Sequence, residues 1–176
     1  MSKVAVVYCS KYGSTKKYAE WIAEETGAEL FKEKECRVSD LKEFDTVVYG
    51  GGIHAGGITG LDFIRKGMSK LKDKRILVFA VGLNVGSPET QQECREINFV
   101  KKIKDLPCYF MPGAYDPEKV TGVDKKLMSV VRKMIGDGGE DGLTEDQKKL
   151  IDAIENGADY TDRSAIKPLV EEILRD

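Results

Sequence analysis

Two spacings of apolar residues alternate along the first part of the chain. Nearly continuous apolar runs are typical of buried parallel strands, and apolar residues three or four positions apart are typical of helices. The run at residues 4–9 gives way at about Thr15 to a helical stripe that includes Tyr18 and Ile22. The alternation predicts strands at residues 4–9, 28–32, 46–49, 75–81 and 107–114, helices at about 15–26, 61–71 and 89–103, and a short helix or turn at 38–44.

The tail beyond about residue 115 shows helical patterns. An amphipathic helix is predicted at about residues 120–134, with the expected role of the last helix covering the sheet. An acidic turn at 136–142, a capped helix at 144–156 and a final helix at 166–174 follow. We therefore expect one α/β domain over residues 1–176, with a parallel sheet between two helical layers, right-handed crossovers and a helical extension at about 115–176.

The loop between the first strand and the first helix is suited to an anion. The first N–H groups of a helix lack intrahelical partners and lie at the positive end of its dipole. Ser10, Ser14 and Thr15 add hydroxyl donors, and Gly13 permits a left-handed backbone or a close approach to a ligand. A plain turn with Ser14 as the helix cap is the simpler alternative. Three hydroxyls and a glycine directly after a buried strand favour a phosphate.

Neither common nucleotide-binding signature is present at this loop. The chain has no Gly-x-x-x-x-Gly-Lys-Ser/Thr motif, and no Gly-x-Gly-x-x-Gly follows the first strand. One glycine among several hydroxyls suits a single terminal monophosphate.

Two further loops follow predicted strands and contain much glycine, residues 50–57 and 82–88. Glycine permits backbone conformations that other residues resist, and ordering it costs conformational entropy. A functional role for residues 50–57 is therefore expected.

Composition and charge exclude several classes of function. The chain has 176 residues, 41% hydrophobic and 33% charged, which is typical of a soluble globular domain. A formal net charge of −2 argues against nucleic-acid binding, and no apolar run is long enough to span a membrane. Four scattered cysteines and one histidine form no metal-binding pattern, and residues 136–142 do not match a calcium loop, so no metal is expected. A reducing, cytoplasmic location fits free thiols.

The motif Ser10-Lys11-Tyr12-Gly13-Ser14-Thr15 after a first strand resembles the phosphate-binding loop of the flavodoxins, which holds the ribityl phosphate of FMN. The resemblance implies a five-stranded parallel sheet in the order 2-1-3-4-5, in which the loops after strands one and three face each other at the topological switch point. It also implies FMN as the cofactor. The implied cofactor-binding residues are Ser10, Lys11, Tyr12, Gly13, Ser14 and Thr15 at the phosphate, and Gly51, Gly52, Ile53, His54, Ala55, Gly82, Leu83 and Asn84 at the ring.

The residues expected beside the ring differ from those of the best-known flavodoxins, which usually have a tryptophan and a tyrosine there. Here the two places hold Ile53-His54-Ala55 and Leu83-Asn84-Val85. His54 is expected either to contact the flavin or to be an exposed loop residue, and Asn84 is a candidate hydrogen-bond donor to the ring. Gly51 and Gly52 would allow a peptide to flip towards the flavin at little steric cost.

Within the flavodoxin family, the chain is most similar to the menaquinone-dependent protoporphyrinogen oxidase subgroup. The shared segments are Pro112-Gly113-Ala114, Asp124-Lys125-Lys126-Leu127-Met128, Lys133-Met134-Ile135, Gly138-Gly139 and Tyr160-Thr161-Asp162. This resemblance implies an oxidoreductase that uses a quinone or a tetrapyrrole precursor.

Three functions remain open at this point. The leading hypothesis is an FMN-binding redox protein that carries electrons between a cytosolic reductase and an acceptor, either a partner protein or a quinone. The second is an FMN-dependent enzyme acting on a quinone or on protoporphyrinogen. The third is an interaction module without a cofactor. A phospho-receiver domain does not fit, because Cys9-Ser10-Lys11 stands where its acidic cluster is needed.

Overall fold

A parallel sheet forms the centre of the molecule. The computed structural model describes residues 2–136 and 142–175. The parallel strands are β1 (Val4–Cys9), β2 (Glu29–Lys32), β3 (Thr46–His54), β5 (Arg75–Gly82) and β6 (Cys108–Pro112), and a short strand between them, β4 (Gly57–Ile58), pairs antiparallel with the end of β3. The order β2-β1-β3-β5-β6 confirms the predicted order of the five parallel strands.

Helices connect and cover these strands. They are α1 (Ser14–Thr26), α2 (Asp62–Leu71), α3 (Pro88–Asn98), α4 (Gly122–Gly136), α5 (Glu145–Asn156) and α6 (Lys167–Leu174). Short 3-10 helices lie at Glu33–Glu35, Val38–Leu41, Lys101–Ile103 and Arg163–Ile166, and a second, two-stranded sheet joins β7 (Ala114–Tyr115) to β8 (Ala158–Asp159). Within the described ranges, no helix has the length and apolar character needed to cross a membrane.

The sheet is buried on both faces, as the three-layer prediction requires. Successive strand residues point to opposite faces, so Val6 packs under α1 and α6, whereas Val7 packs under α2 and α3. On the first face Tyr18 and Leu169 are fully buried, and on the second face Ile64 is fully buried. The predicted α/β three-layer fold is therefore confirmed.

The third strand is longer than predicted, because residues 50–54 belong to β3 and not to a loop. A Cβ on Gly50 would lie 2.0 Å from the ring of Phe79, and one on Gly51 would lie 2.5 Å from the carbonyl oxygen of Thr59. The N–H and the hydroxyl of Thr59 both donate to the carbonyl of Gly52, each at 2.9 Å. The glycines thus permit close packing, and the expected easy peptide flip at Gly51 and Gly52 is wrong because hydrogen bonds hold both residues in the sheet.

The helix predicted at residues 89–103 ends at Asn98, earlier than expected. The buried Asn98 side chain turns back and donates to the carbonyl of Cys94 at 2.7 Å. Lys101 then has a left-handed backbone, with φ 56°, and starts a 3-10 turn. The fifth predicted strand is also shorter, since β6 covers Cys108–Pro112 only.

The helix predicted at residues 120–134 is present as α4, but its predicted role is wrong. The short helix α6 covers the sheet beside α1, with Leu169, Val170 and Ile173 buried. None of the described residues of α4 is fully buried. It packs on α5 above the carboxyl ends of the strands, where both helices line a cavity. The turn predicted at 136–142 falls largely outside the described residues.

Candidate functional site

The carboxyl ends of β1, β3 and β5 open into one cavity of about 430 Å³. This is the edge of the sheet at which the strand order reverses, where open α/β sheets bind ligands. The lining residues come from the loop after β1, the ends of β3 and β5, the loops after β5 and β6, and the helices α4 and α5. Cavities for small ligands range from about 300 to 1,000 Å³, so this volume suits one cofactor-sized molecule.

The structure brings most of the sequence-predicted site residues together around this cavity. Those that line it are Ser10, Lys11, Tyr12, Ser14, Thr15, Gly52, Ile53, His54, Gly82, Leu83 and Asn84. The other three lie elsewhere. Gly13 borders a smaller neighbouring cavity, Gly51 is packed in the sheet against Thr59, and Ala55 is at the tip of the β3–β4 hairpin.

The loop after β1 leads into an α1 that no side chain of the described residues caps. Its N-cap is Gly13 and not Ser14, with a left-handed backbone at φ 106°. The first helical hydrogen bond runs from the N–H of Lys17 to the carbonyl of Gly13, at 3.0 Å. The preceding N–H groups, those of residues 14–16, therefore remain available to an anion at the positive end of the helix dipole.

The hydroxyls of the loop hold its shape and border the cavity. Ser10 Oγ accepts a hydrogen bond from the N–H of Gly13 at 3.1 Å, and Ser14 Oγ accepts one from the N–H of Ala114 at 3.2 Å. The second bond ties the start of α1 to the first residue of β7. Thr15 is 4% exposed and lines the cavity wall. Each hydroxyl can also donate to a phosphate oxygen.

Sequence reasoning missed two acidic residues that line the cavity, Glu93 of α3 and, in the first turn of α4, Asp124. Its Oδ2 accepts hydrogen bonds from Lys11 Nζ and from the Tyr12 hydroxyl, both at 2.5 Å, and its Oδ1 lies 3.9 Å from Nδ1 of His54. The hydrogen bonds from Lys11 and Tyr12 lower the pKa of Asp124, and the bond to Asp124 raises the pKa of Lys11. Both groups are therefore ionised at neutral pH. The sequence signals for Asp124 were its position at a helix start and the resemblance of residues 124–128 to the oxidase subgroup. Its contacts could not be predicted, because Lys11 and Tyr12 lie more than 110 residues away in sequence.

The β3–β4 hairpin that carries Ile53 and His54 is held by a residue that sequence reasoning also missed. Asn98 is 4% exposed; its Oδ1 accepts from the N–H of Ile58 at 2.8 Å, and its Nδ2 donates to the carbonyl of Gly56 at 2.7 Å. Asn98 therefore bonds both to the turn and to β4. The hairpin is a fixed wall of the cavity and not a free loop.

The loop after β5 is fixed in a similar way. Asn84 Nδ2 donates to Thr90 Oγ1 at 3.2 Å, and the side chain of Gln91 donates to the carbonyl of Val85 at 2.7 Å. A Cβ on Gly82 would lie 3.1 Å from Val85 and 3.3 Å from Ile53. A larger residue at position 82 would therefore push against two residues of the wall.

These residues fit a ligand that has a phosphate at one end and a flat, largely apolar body. The uncapped helix start and the hydroxyls suit the phosphate. At the junction between the loop and the hairpin, a Cβ on Gly52 would lie 3.6 Å from Thr15 Oγ1 and 3.7 Å from the His54 ring, so glycine leaves open space there. Aliphatic side chains, including Ile53, Leu83 and Val85, form the walls further from the loop. The donor set therefore agrees with a flavin mononucleotide.

Several solved structures share features of this chain. A flavodoxin from the domain Archaea is 18% identical over 87% of this chain and 96% of its own, with a TM-score of 0.43. The two-electron reduced flavodoxin of Megasphaera elsdenii is 19% identical over 61% of this chain and 82% of its own, with a TM-score of 0.45. Rubredoxin:oxygen oxidoreductase from Desulfovibrio gigas is 17% identical over 100% of this chain and 38% of its own, with a TM-score of 0.45.

A sequence model of the flavodoxin domain matches residues 5–141, which is well over half of the chain. The matched region contains the loop after β1, the helix α4 and the five parallel strands except for Val4, the first residue of β1. The chain therefore belongs to the flavodoxin domain family. None of the curated proteins matches it.

Proposed function

We propose that the protein binds FMN in the cavity at the carboxyl ends of β1, β3 and β5, and transfers electrons between a cytosolic reductase and an acceptor. The observation that carries this proposal is the meeting of the uncapped start of α1 with an apolar, glycine-bordered cavity. One end of the cavity is suited to a phosphate and the rest is suited to an aromatic ring. Membership of the flavodoxin domain family supports the same cofactor class.

Each wall would have a distinct task. The N–H groups at residues 14–16 and the hydroxyls of Ser10, Ser14 and Thr15 would bind the phosphate. The β3–β4 hairpin, with Ile53 and His54, and the loop after β5, with Asn84, would orient the ring. The isoalloxazine ring of FMN would supply the redox chemistry, and the surrounding side chains would limit its access to water.

Flavin binding by the full-length protein tests this proposal. We expect the purified protein to be yellow, or to quench the fluorescence of added FMN with a stoichiometry of one. A protein that is colourless and binds neither FMN nor riboflavin would overturn the proposal.

The phosphate assignment has its own test in a pair of matched variants on α1. Thr15→Val removes a hydroxyl beside the cavity, and Thr26→Val removes one at the other end of the same helix, where it donates to the carbonyl of Ile22. We expect Thr15→Val to weaken FMN binding about tenfold, which corresponds to about 1.4 kcal/mol, and to leave riboflavin binding unchanged. Thr26→Val should change neither. Equal losses for FMN and riboflavin in Thr15→Val would contradict a phosphate at this loop.

A second candidate function is an FMN-dependent oxidoreductase acting on a quinone or on protoporphyrinogen. The observation that favours it is the position of α4 and α5, which add a helical wall to the cavity at the strand ends. A covered ring suits a small acceptor that enters the cavity better than contact with a partner protein. Turnover of menadione or protoporphyrinogen by the flavin-loaded protein would favour this candidate, and reduction of partner proteins alone would favour the electron carrier.

A further inference from the structure

One face of α4 is apolar and lines the cavity instead of packing into the protein core. Leu127, Met128 and Val131 line the cavity and are half-buried. Val130 and Met134, on the neighbouring side of the helix, do not line the cavity and are exposed, at 52% and 75%. The apolar face of Leu127, Met128 and Val131 thus borders the cavity that the proposed ligand would occupy.

A polar contact connects this helix to the phosphate loop. Asp124 lies three, four and seven residues before the apolar side chains, so all four residues share one face of the helix. Its carboxylate accepts the hydrogen bonds from Lys11 and Tyr12. From Asp124 to Val131 the helix rises about 10 Å. The face therefore begins beside the phosphate loop with a charge and continues along the cavity with apolar side chains.

Among the described residues, the β3–β4 hairpin and the loop after β5 contribute no phenylalanine, tyrosine or tryptophan to the cavity wall; its two tyrosines, Tyr12 and Tyr115, come from the loop after β1 and from β7. The residues of the β3–β4 hairpin and of the loop after β5 that line the cavity are Ile53, His54, Leu83, Asn84 and Val85, besides glycines. A planar ring needs apolar surface to lose contact with water. Within the described residues, α4 and its partner α5, through Leu150, add such surface to that of Ile53, Leu83 and Val85.

We propose that α4 is the outer wall of the flavin site, with Leu127, Met128 and Val131 in contact with the isoalloxazine ring and Asp124 connecting the helix to the phosphate loop. The inference rests on the proposed function, because it names further contacts of the same ligand. It adds residues that lie outside the three loops expected from the sequence. Its consequence is a flavin enclosed between the sheet edge and α4.

Two methionines on the same helix provide a matched test. Met128→Asn introduces a polar side chain into the proposed wall, and Met134→Asn makes the same change at an exposed position that does not line the cavity. In the full-length protein, we expect Met128→Asn to raise the Kd of FMN and of riboflavin by the same factor, about tenfold, because both share the ring. Met134→Asn should change each Kd by less than about twofold. Unfolding temperatures close to that of the wild type would show that both variants fold.

Hydrogen exchange supplies a second readout. Adding FMN or riboflavin should slow amide exchange in α4, and Asp124→Asn should speed exchange in α4 of the flavin-free protein. If the wild type binds FMN but Met128→Asn binds it equally well and exchange in α4 does not change, the outer-wall inference is overturned and the proposed function stands. If the wild type binds no flavin, the proposed function is overturned, and the inference with it.

Discussion

Gly50 and Gly52 are two residues apart on β3, on the same face of the strand, yet they meet different surroundings. A Cβ at position 50 would lie 2.0 to 2.5 Å from three ring carbons of Phe79, which is fully buried. A Cβ at position 52 would have only ordinary contacts, 3.6 Å from Thr15 Oγ1 and 3.7 Å from His54. We therefore predict that Gly50→Ala damages the fold, whereas Gly52→Ala damages only ligand binding.

The expected magnitudes follow from packing and from the unfolded chain. Overpacking a core costs about 1–3 kcal/mol, and a collision with a buried ring belongs at the upper end of that range. Alanine also lowers the conformational entropy of the unfolded chain, which stabilises the folded state by about 0.4–1 kcal/mol. Gly50→Ala should therefore lose about 2 kcal/mol of unfolding free energy, or about 4–8 °C in Tm for a chain of this size. Gly52→Ala should be as stable as the wild type, and its methyl group should weaken FMN binding about tenfold.

Urea unfolding followed by circular dichroism measures the first effect, and FMN titration measures the second. The double variant Gly50→Ala/Phe79→Leu supplies an internal check, because a smaller side chain at position 79 makes room for the methyl group. The double variant should lose less free energy of unfolding than the sum of the losses in Gly50→Ala and Phe79→Leu, by about 1 kcal/mol. The reasoning is refuted if Gly50→Ala is as stable as the wild type, or if Gly52→Ala loses as much stability as Gly50→Ala.

Three further predictions concern the scaffold. Asn98→Leu leaves the buried N–H of Ile58 and the carbonyl of Gly56 without their partner, so urea unfolding should show a loss of about 2–4 kcal/mol. Lys101→Gly relieves a left-handed backbone at φ 56° and should raise Tm by roughly 1–3 °C. Burial raises the pKa of the Cys108 thiol to about 12, so the thiol ionises at lower pH in the unfolded chain than in the folded protein. Its contribution to the free energy of unfolding is therefore complete below about pH 9 and is lost as pH rises towards 12. Cys108→Val should reduce this pH dependence.

The sheet and the location of the site could be predicted because both depend on local patterns. β1 and β5 are continuous apolar runs, and a strand buried on both faces needs no other signal. The loop at residues 10–15 follows β1 directly, so the strand order alone places it opposite the end of β3. Topology therefore brought these two regions together without any knowledge of side-chain contacts.

The role of the glycines in β3 could not be predicted in the same way. A glycine-rich segment is predicted to be a loop from local sequence alone, because glycine in the interior of a strand weakens it. In the structure the decisive partner of Gly50 is Phe79, which comes from the neighbouring strand β5. Only the register between the two strands shows that no side chain fits at position 50.

The roles of Asp124 and Asn98 also could not be predicted from local sequence. Asp124 looks like an ordinary acidic residue in the first turn of a helix, and Asn98 looks like an ordinary helix end. Their partners are far away in sequence, at Lys11 for Asp124 and at the β3–β4 hairpin for Asn98. An amphipathic pattern likewise cannot show whether the apolar face of α4 packs on a sheet or borders a cavity.

The walls of the site differ in how firmly they are held, and this difference bears on how a ligand enters. The sheet side is built from fully buried strands, and Asn98 fixes its hairpin with buried hydrogen bonds. By contrast, α4 has no fully buried residue among those described and meets the loop after β1 through Asp124, Lys11 and Tyr12. Segments with few buried contacts open at lower free energy than the core. Entry of a ligand should therefore displace α4 and leave the strand ends in place, so the phosphate loop would be formed before the ligand arrives.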